Sequence, residues 1–299
     1  MPSIDGGAGG ARARKGRAPM ISSAIDEPCI LQPSGPVLVD RQDGQLIEAL
    51  HVRSDKHGAA AVSCRDSRGV RLRNLLVEHP EGGIGIRFER CHGLIIERVE
   101  VRVTGMVARA ESEAASGHAR PAQCSIKFSD CDNIYGLKSA DVSIEDVRVA
   151  GGSSGIELGS CERARLRRIV ARNLRGPYPR GQCVQFSVCD SSSLEDFHCV
   201  NELGHSWPED SISVWRSRDV LVRRGLVDGN NAPNGIGVMF ENDDTRASGG
   251  RVHDVDAIQC ARAHSPIAHR HEHAHAAHAS SPPSSRLRAL STAVSSRAG

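Results

Sequence analysis

The sequence predicts an all-β solenoid, a right-handed parallel β-helix running from about Val37 to about Cys260. Three observations predict it. A short apolar pattern recurs at intervals of about 24 residues, a second alternating run precedes most copies, and Val, Ile and Gly are plentiful while aromatics make up only 3% of the chain. Thin strands stacked around a narrow interior need few large rings.

Taken in order, residues 1–30 are rich in Gly, Ala and Arg without a strand pattern, and are expected to form a mobile leader with a short cap near residues 20–26. Residues 31–262 form the β-helix domain, and residues 263–299 form a disordered tail in which His264, His269, His271, His273, His275 and His278 precede Ser and Pro.

Within the domain the pattern places an apolar residue at a start position, then two, five and seven residues later. It begins at Gln45, Val70, Leu94, Val142, Ala164, Ser192, Val220 and Gly250. Across these eight copies 28 of 32 template positions are apolar, against about 12 expected from a 39% hydrophobic background. The successive starts are 25, 24, 48, 22, 28, 28 and 30 residues apart, so the 48 reads as two periods with a degenerate coil around residues 125–134, making nine coils.

Positions 0 and +2 form one short strand, the polar pair at +3 and +4 a bend, and +5 and +7 a second strand. A third strand lies upstream, with inward pairs such as Ile86 and Phe88, Ile126 and Phe128, Ile156 and Leu158, and Ile236 and Val238. Three short strands per coil define the β-helix. The +3 residues nearly alternate in sign (Glu48, Arg73, Glu97, Glu145, Arg167, Glu195, Arg223, His253), which suits stacking of neighbouring coils. Three residues before each start, a column of small residues (Ser67, Cys91, Cys161, Cys189, Ser217, with Cys131 for the degenerate coil) reads as buried structural thiols and hydroxyls.

Runs such as 83–88 followed by 91–97, and 155–158 followed by Cys161, resemble the pectin lyase-like superfamily of right-handed β-helices over about 220 residues. The resemblance implies a scaffold shared by lyases, glycoside hydrolases, epimerases, esterases, adhesins and phage spikes, most of them exported. This N-terminus shows no secretory signal and no run long enough to span a membrane. A formal net charge of +2 gives no field to gather nucleic acid or anionic lipid. The expected partner is an acidic polysaccharide, with neither nucleic acid nor membrane.

One corner of the coil is nearly constant in length and the other collects insertions, which points to a groove on the outward side of the upstream strands. Its outward column is read as Ser63, Arg87, Lys127, Glu157, Gln185, Ser213 and Gly237, with Trp215 in the next column. Loops 172–182, 201–210 and 228–234 wall it, bringing Tyr178, Arg180, Trp207, Glu209, Asp210, Asp228 and Asn230. Tyr178, Trp207 and Trp215 are suited to stacking on sugar rings; Arg87, Glu157, Gln185, Asp228 and Asn230 to polar contact with the substrate.

Two chemistries fit. Abstraction of a proton beside a uronate carboxylate would use Lys127 or Arg180 as base, with a cation or Ca²⁺ steadying the enolate. Hydrolysis would draw on two carboxyls from Glu209, Asp210, Asp228, Glu241, Asp243 and Asp244, with Glu209 and Asp210 also the candidate Ca²⁺ ligands. No dedicated metal site is expected. A non-catalytic glycan-binding or structural surface protein is the alternative, since blocks typical of polygalacturonase-like hydrolases and pectate lyases are absent.

Overall fold

The computed structural model describes residues 30–104, 132–176, 181–202, 206, 208, 210–230, 235–243 and 245–260, together with three short strands beyond them. Where Val, Ile and Leu alternate with polar residues, the chain extends and buries alternate side chains. Numbered in chain order, the strands are β1 (Gln32–Ser34), β2 (Val37–Asp40), β3 (Leu46–Arg53), β4 (Ala60–Arg65), β5 (Arg71–Pro80), β6 (Ile84–Glu89) and β7 (Ile95–Thr104). They continue as β8 (Asp132–Leu137), β9 (Ser143–Ala150), β10 (Ser154–Gly159), β11 (Arg165–Arg172), β12 (Val184–Ser187), β13 (Ser193–Val200) and β14 (Asp210–Trp215). The last are β15 (Val220–Asp228), β16 (Ile236–Glu241), β17 (Gly250–Ile258), β18 (Arg262–Ser265), β19 (Leu287–Arg288) and β20 (Thr292–Val294).

Odd strands β1 to β17 stack in sequence order as one parallel sheet, and even strands β2 to β18 as another. This alternation is a parallel β-helix, the architecture the resemblance implies. Each return to the same sheet as a parallel neighbour is a crossover, which sterics make right-handed. β19 and β20 pair antiparallel with β17.

The eight template copies stack directly on one another. Ile47 pairs with Leu72, Leu72 with Ile96, Ile96 with Ile144, and so on to Val222 with Val252. The Ile96 to Ile144 pairing corrects the coil count. The 48-residue interval is one step, since β9 stacks directly on β7, so β3 and β17 are seven turns apart.

Each long odd strand bends at +4 without breaking its ladder, so the two predicted arms share one sheet. Ala49, Asn74, Arg98, Asp146, Arg168, Asp196, Arg224 and Asp254 all adopt φ between 52° and 57° there. Left-handed residues also fill two other columns, at −4 (Arg41 to Arg216, including Val188) and at −1 (Gly44, Gly69, Gly93, Asp141, Arg163, Ser191, Asp219). A left-handed residue costs about 1–2 kcal/mol outside glycine. Arg–Asp forks across coils offset part of that cost: Arg90 grips Asp66 at 2.6 and 2.9 Å, Arg163 grips Asp141 at 2.7 and 2.9 Å, and Arg224 grips Asp196 at 2.6 and 3.0 Å.

The +3 residues stack in register, with Arg73 3.3 Å from Glu48 and 3.4 Å from Glu97, and Arg223 2.6 Å from Glu195. Glu97 and Glu145 become direct neighbours because β9 stacks directly on β7. Arg73 serves Glu97, while Arg167 and Arg168 serve Glu145.

The interior is a single column of Val, Ile, Leu and Phe. Its rings need gaps. Phe88 pairs with Gly136 and Phe197 with Gly225, and a Cβ at either glycine would lie 2.1 Å from the facing ring. The ring of one coil therefore occupies the space left by the next.

The small column at −3 is a hydrogen-bond ladder. Cys91 N–H donates to Ser139 Oγ (3.0 Å), Cys161 N–H to Cys189 Sγ (3.3 Å) and Cys189 N–H to Ser217 Oγ (2.7 Å), and Ser217 N–H donates to Ser248 Oγ (3.1 Å), one position past the column. Only a short side chain with an acceptor satisfies this buried corner amide. Ser139 takes the place assigned to Cys131, which lies outside the described residues.

Candidate functional site

The even sheet presents its outward side chains in rows that cross the coils. Ser63, Arg87, Tyr135, Glu157, Gln185, Ser213 and Met239 are successive ladder partners. Adjacent members are about 4.8 Å apart, so the row is a continuous strip along the solenoid axis. Two residues further along the strands, Arg65, Glu89, Leu137, Gly159, Ser187, Trp215 and Glu241 form a parallel row.

Two assignments in the expected column change. Tyr135 stands between Arg87 and Glu157 where Lys127 was placed, because β8 begins at Asp132 and its inward residues are Ile134 and Gly136 in place of Ile126 and Phe128. Lys127 itself lies outside the described residues. At the far end Val238 and Phe240 align with Ile212 and Val214, a shift of two residues, so Met239 replaces Gly237 in the row. Gly136 concealed the first shift, since it leaves the inward position that an apolar side chain would have marked.

Along the strip, the Arg87 guanidinium carbon lies 5.8 Å from the Tyr135 ring centre, and its Nη2 is 3.5 Å from Glu89 Oε2. Glu157 is 9% exposed although its strand face points outward. Trp215 is half-buried beside Ser187 and, one coil further, Gly159, over which the Leu137 side chain packs. Arg216 lies 4.9 Å over its ring and is itself 3.1 Å from Asp243, which anchors the orientation.

Asp243 is committed locally. Its Oδ1 accepts from Thr245 N–H (2.9 Å), Thr245 Oγ1 (2.7 Å) and Arg246 N–H (2.8 Å). The Thr245 hydroxyl leads the causes that hold its carboxyl below the usual range, ahead of the opposing effect of burial. It is a turn-forming carboxylate.

Asp210 opens β14 and is 2% exposed. It shares a buried row at the strand starts with Asp132, Ser154 and Gln182: Asp132 pairs with Ser154, and Gly155 N–H donates to the Gln182 carbonyl. β8, β10, β12 and β14 are consecutive, so Asp132 and Asp210 are three ladder steps, about 14 Å, apart. That exceeds the roughly 5–9.5 Å between the two carboxyls of glycoside hydrolases.

The structure therefore brings Arg87, Glu157, Gln185 and Trp215 together on one face, with Tyr135 added. Two other expected contacts lie elsewhere. Asp228 ends β15 on the odd sheet, paired with Val200 and Ile258, and its charge acts on the half-buried His198, whose pKa burial lowers. Asn230 is 5% exposed, and a Cβ at Gly235 would come within 2.3 Å of its side chain, so it is packed into the corner. Nearby Asn201 accepts from Leu174 N–H (3.3 Å) and donates to the Gly229 carbonyl (3.1 Å), stitching three coils. Tyr178, Arg180, Trp207, Glu209 and Asp244 lie outside the described residues.

No family model and no curated protein matches the chain. Solved structures that do match include a pectin methylesterase bound to a hexasaccharide (10% identity, covering 75% of this chain and 77% of that chain, TM-score 0.33). The Dettilon tailspike protein matches at 11% identity over 72% of this chain and 60% of that chain, with a TM-score of 0.22. A Parabacteroides merdae protein assigned as a glycosyl hydrolase matches at 15% identity over 64% and 79%, with a TM-score of 0.33. Likenesses at this level say nothing about activity.

Proposed function

We propose that this β-helix binds a polysaccharide lengthwise along the outward face of its even sheet. The observation that carries the reading is the unbroken row Ser63, Arg87, Tyr135, Glu157 and Gln185 beside Trp215. Guanidinium, carboxylate, amide and hydroxyl groups alternate there with aromatic surface, the combination that hydrogen-bonds sugar hydroxyls and stacks on ring faces. Arg87 and Arg65 suit the acidic groups of a uronate-containing chain.

Calorimetric titration with a polyuronate and with a neutral glucan tests the proposal. Trp215→Ala and Arg87→Ala are each expected to weaken binding roughly tenfold, the arginine change more strongly for the polyuronate. Absorbance at about 235 nm and reducing-end assays, with and without Ca²⁺, follow cleavage by the chemistries discussed above. Product that vanishes in Glu209→Ala/Asp210→Ala would replace the binding reading with a catalytic one. Unchanged affinity in both single variants would overturn the placement of the glycan on this face.

A further inference from the structure

On the other sheet, the first arms of β9, β11, β13 and β15 enclose an open depression of about 540 Å³. Its centre is Arg165, with Ser143 and Ser193 as its ladder partners on the two adjacent strands. The same row holds Leu46, Arg71, Ile95, Leu221 and Arg251 in other coils, so the two serines create the space.

The arginines around this depression differ in how they are occupied. Arg223 is held by Glu195 at 2.6 Å, Arg224 is forked onto Asp196, and Arg168 onto Asp146. Arg167 makes longer contacts, 3.3 Å to Asp196 and 3.8 Å to Glu145. Among the described residues, the exposed Arg165 side chain makes no hydrogen bond or ion pair, and the Ser143 and Ser193 side chains make no hydrogen bond. The carboxylate it influences at longer range, Asp141, is already forked by Arg163.

We infer that this depression is an oxyanion-binding site in which Arg165 meets a sulfate or phosphate group between the hydroxyls of Ser143 and Ser193. Three uncommitted donor groups stand side by side at about 4.8 Å intervals, and the flanking arginines are fixed by their acidic partners. A tetrahedral oxyanion can accept from the guanidinium and a hydroxyl at once, and charge-assisted bonds of this kind are the strong ones. Neighbouring Arg167 adds a second positive charge. Glu145 and Glu195 also line the depression, and their charges are offset by Arg167 and Arg168 and by Arg223 and Arg224. The site lies on a different sheet from the proposed glycan face and does not rest on that reading.

Arginine Nε–Hε NMR signals recorded during titration with inorganic sulfate test the inference, with the Arg165 signal identified as the one lost in Arg165→Ala. The expected result is a saturable shift of that signal, while the forked Arg224 signal stays in place. Arg165→Lys is expected to retain weakened binding, and Ser143→Ala/Ser193→Ala to weaken sulfate binding roughly tenfold. A parallel titration with a sulfated oligosaccharide separates the two sources of the group. Tighter binding than inorganic sulfate assigns the site to a polymer-borne ester, and equal binding to the free ion. A shift that is linear in salt, or shared equally by all arginines, overturns the site.

Discussion

Glu78 sits where two arginines and a histidine converge on the second arm of the odd sheet. Arg53 Nε approaches to 2.6 Å, His51 Nε2 to 2.9 Å and Arg102 Nε to 3.1 Å. Burial by itself would raise the carboxyl pKa, but the Arg53 and His51 hydrogen bonds and the Arg102 charge outweigh it and bring it down to about 2. A carboxyl with a lowered folded pKa adds stability above its unfolded pKa and loses it as pH falls toward the folded value. Glu78→Gln is therefore expected to cost about 1–2 kcal/mol at neutral pH, discounted for its exposed arginine partners. The difference in urea midpoint should shrink at pH 3; a gap that stays constant would mean the side chain acts through shape alone. The pairing has a sequence correlate, since Arg53, Glu78 and Arg102 each stand eight residues after a template start. The left-handed corners had only a weak one: Arg, Asp, Asn, Ala, Lys, Ser and Val occupy them, of which Asn and Asp alone favour the conformation, and only the −1 column begins with glycines.

At the level of strands, the packing of Phe197 over Gly225 makes a sharper claim than apolarity does. Gly225 is the residue at which its copy departs from the apolar template, and the ring of the preceding coil explains the departure. Gly225→Ala is expected to cost about 2–3 kcal/mol by overpacking. In the Phe197→Leu background the same change should cost less by at least about 0.5 kcal/mol, read from a double-mutant cycle of urea unfolding. Additive costs would show that the two positions do not share space. Strand identity was legible from period two, because burying one face forces alternation. Coil membership was less so. Ile126 and Phe128 carry the spacing of an inward pair, yet the strand that joins the sheet is Asp132–Leu137, where Ile134 shares the interior with a glycine. Periodicity reports apolar spacing, and pairing depends on what the neighbouring coil leaves room for. The candidate face inherited slips at two residues, Tyr135 and Met239, while Arg87, Glu157, Gln185 and Trp215 were placed on it from sequence alone.

Across the whole molecule, each coil contacts mainly the coils before and after it, so protection should be graded along the axis. Amides of β7, β9, β11 and β13 are expected to exchange most slowly, and those of β1 and β2 fastest, in native-state hydrogen exchange. Uniform exchange rates along the stack would instead mark a single cooperative unit. The ladder hydrogen bonds run parallel to the axis, one coil to the next. Under tension applied at the two ends these bonds are loaded in series, so the stack resembles a spool more than a rod. It would pay out one winding at a time, and a winding of about 24 residues releases roughly 80 Å of chain. Such a molecule would lengthen by many times its resting height before its last winding opens.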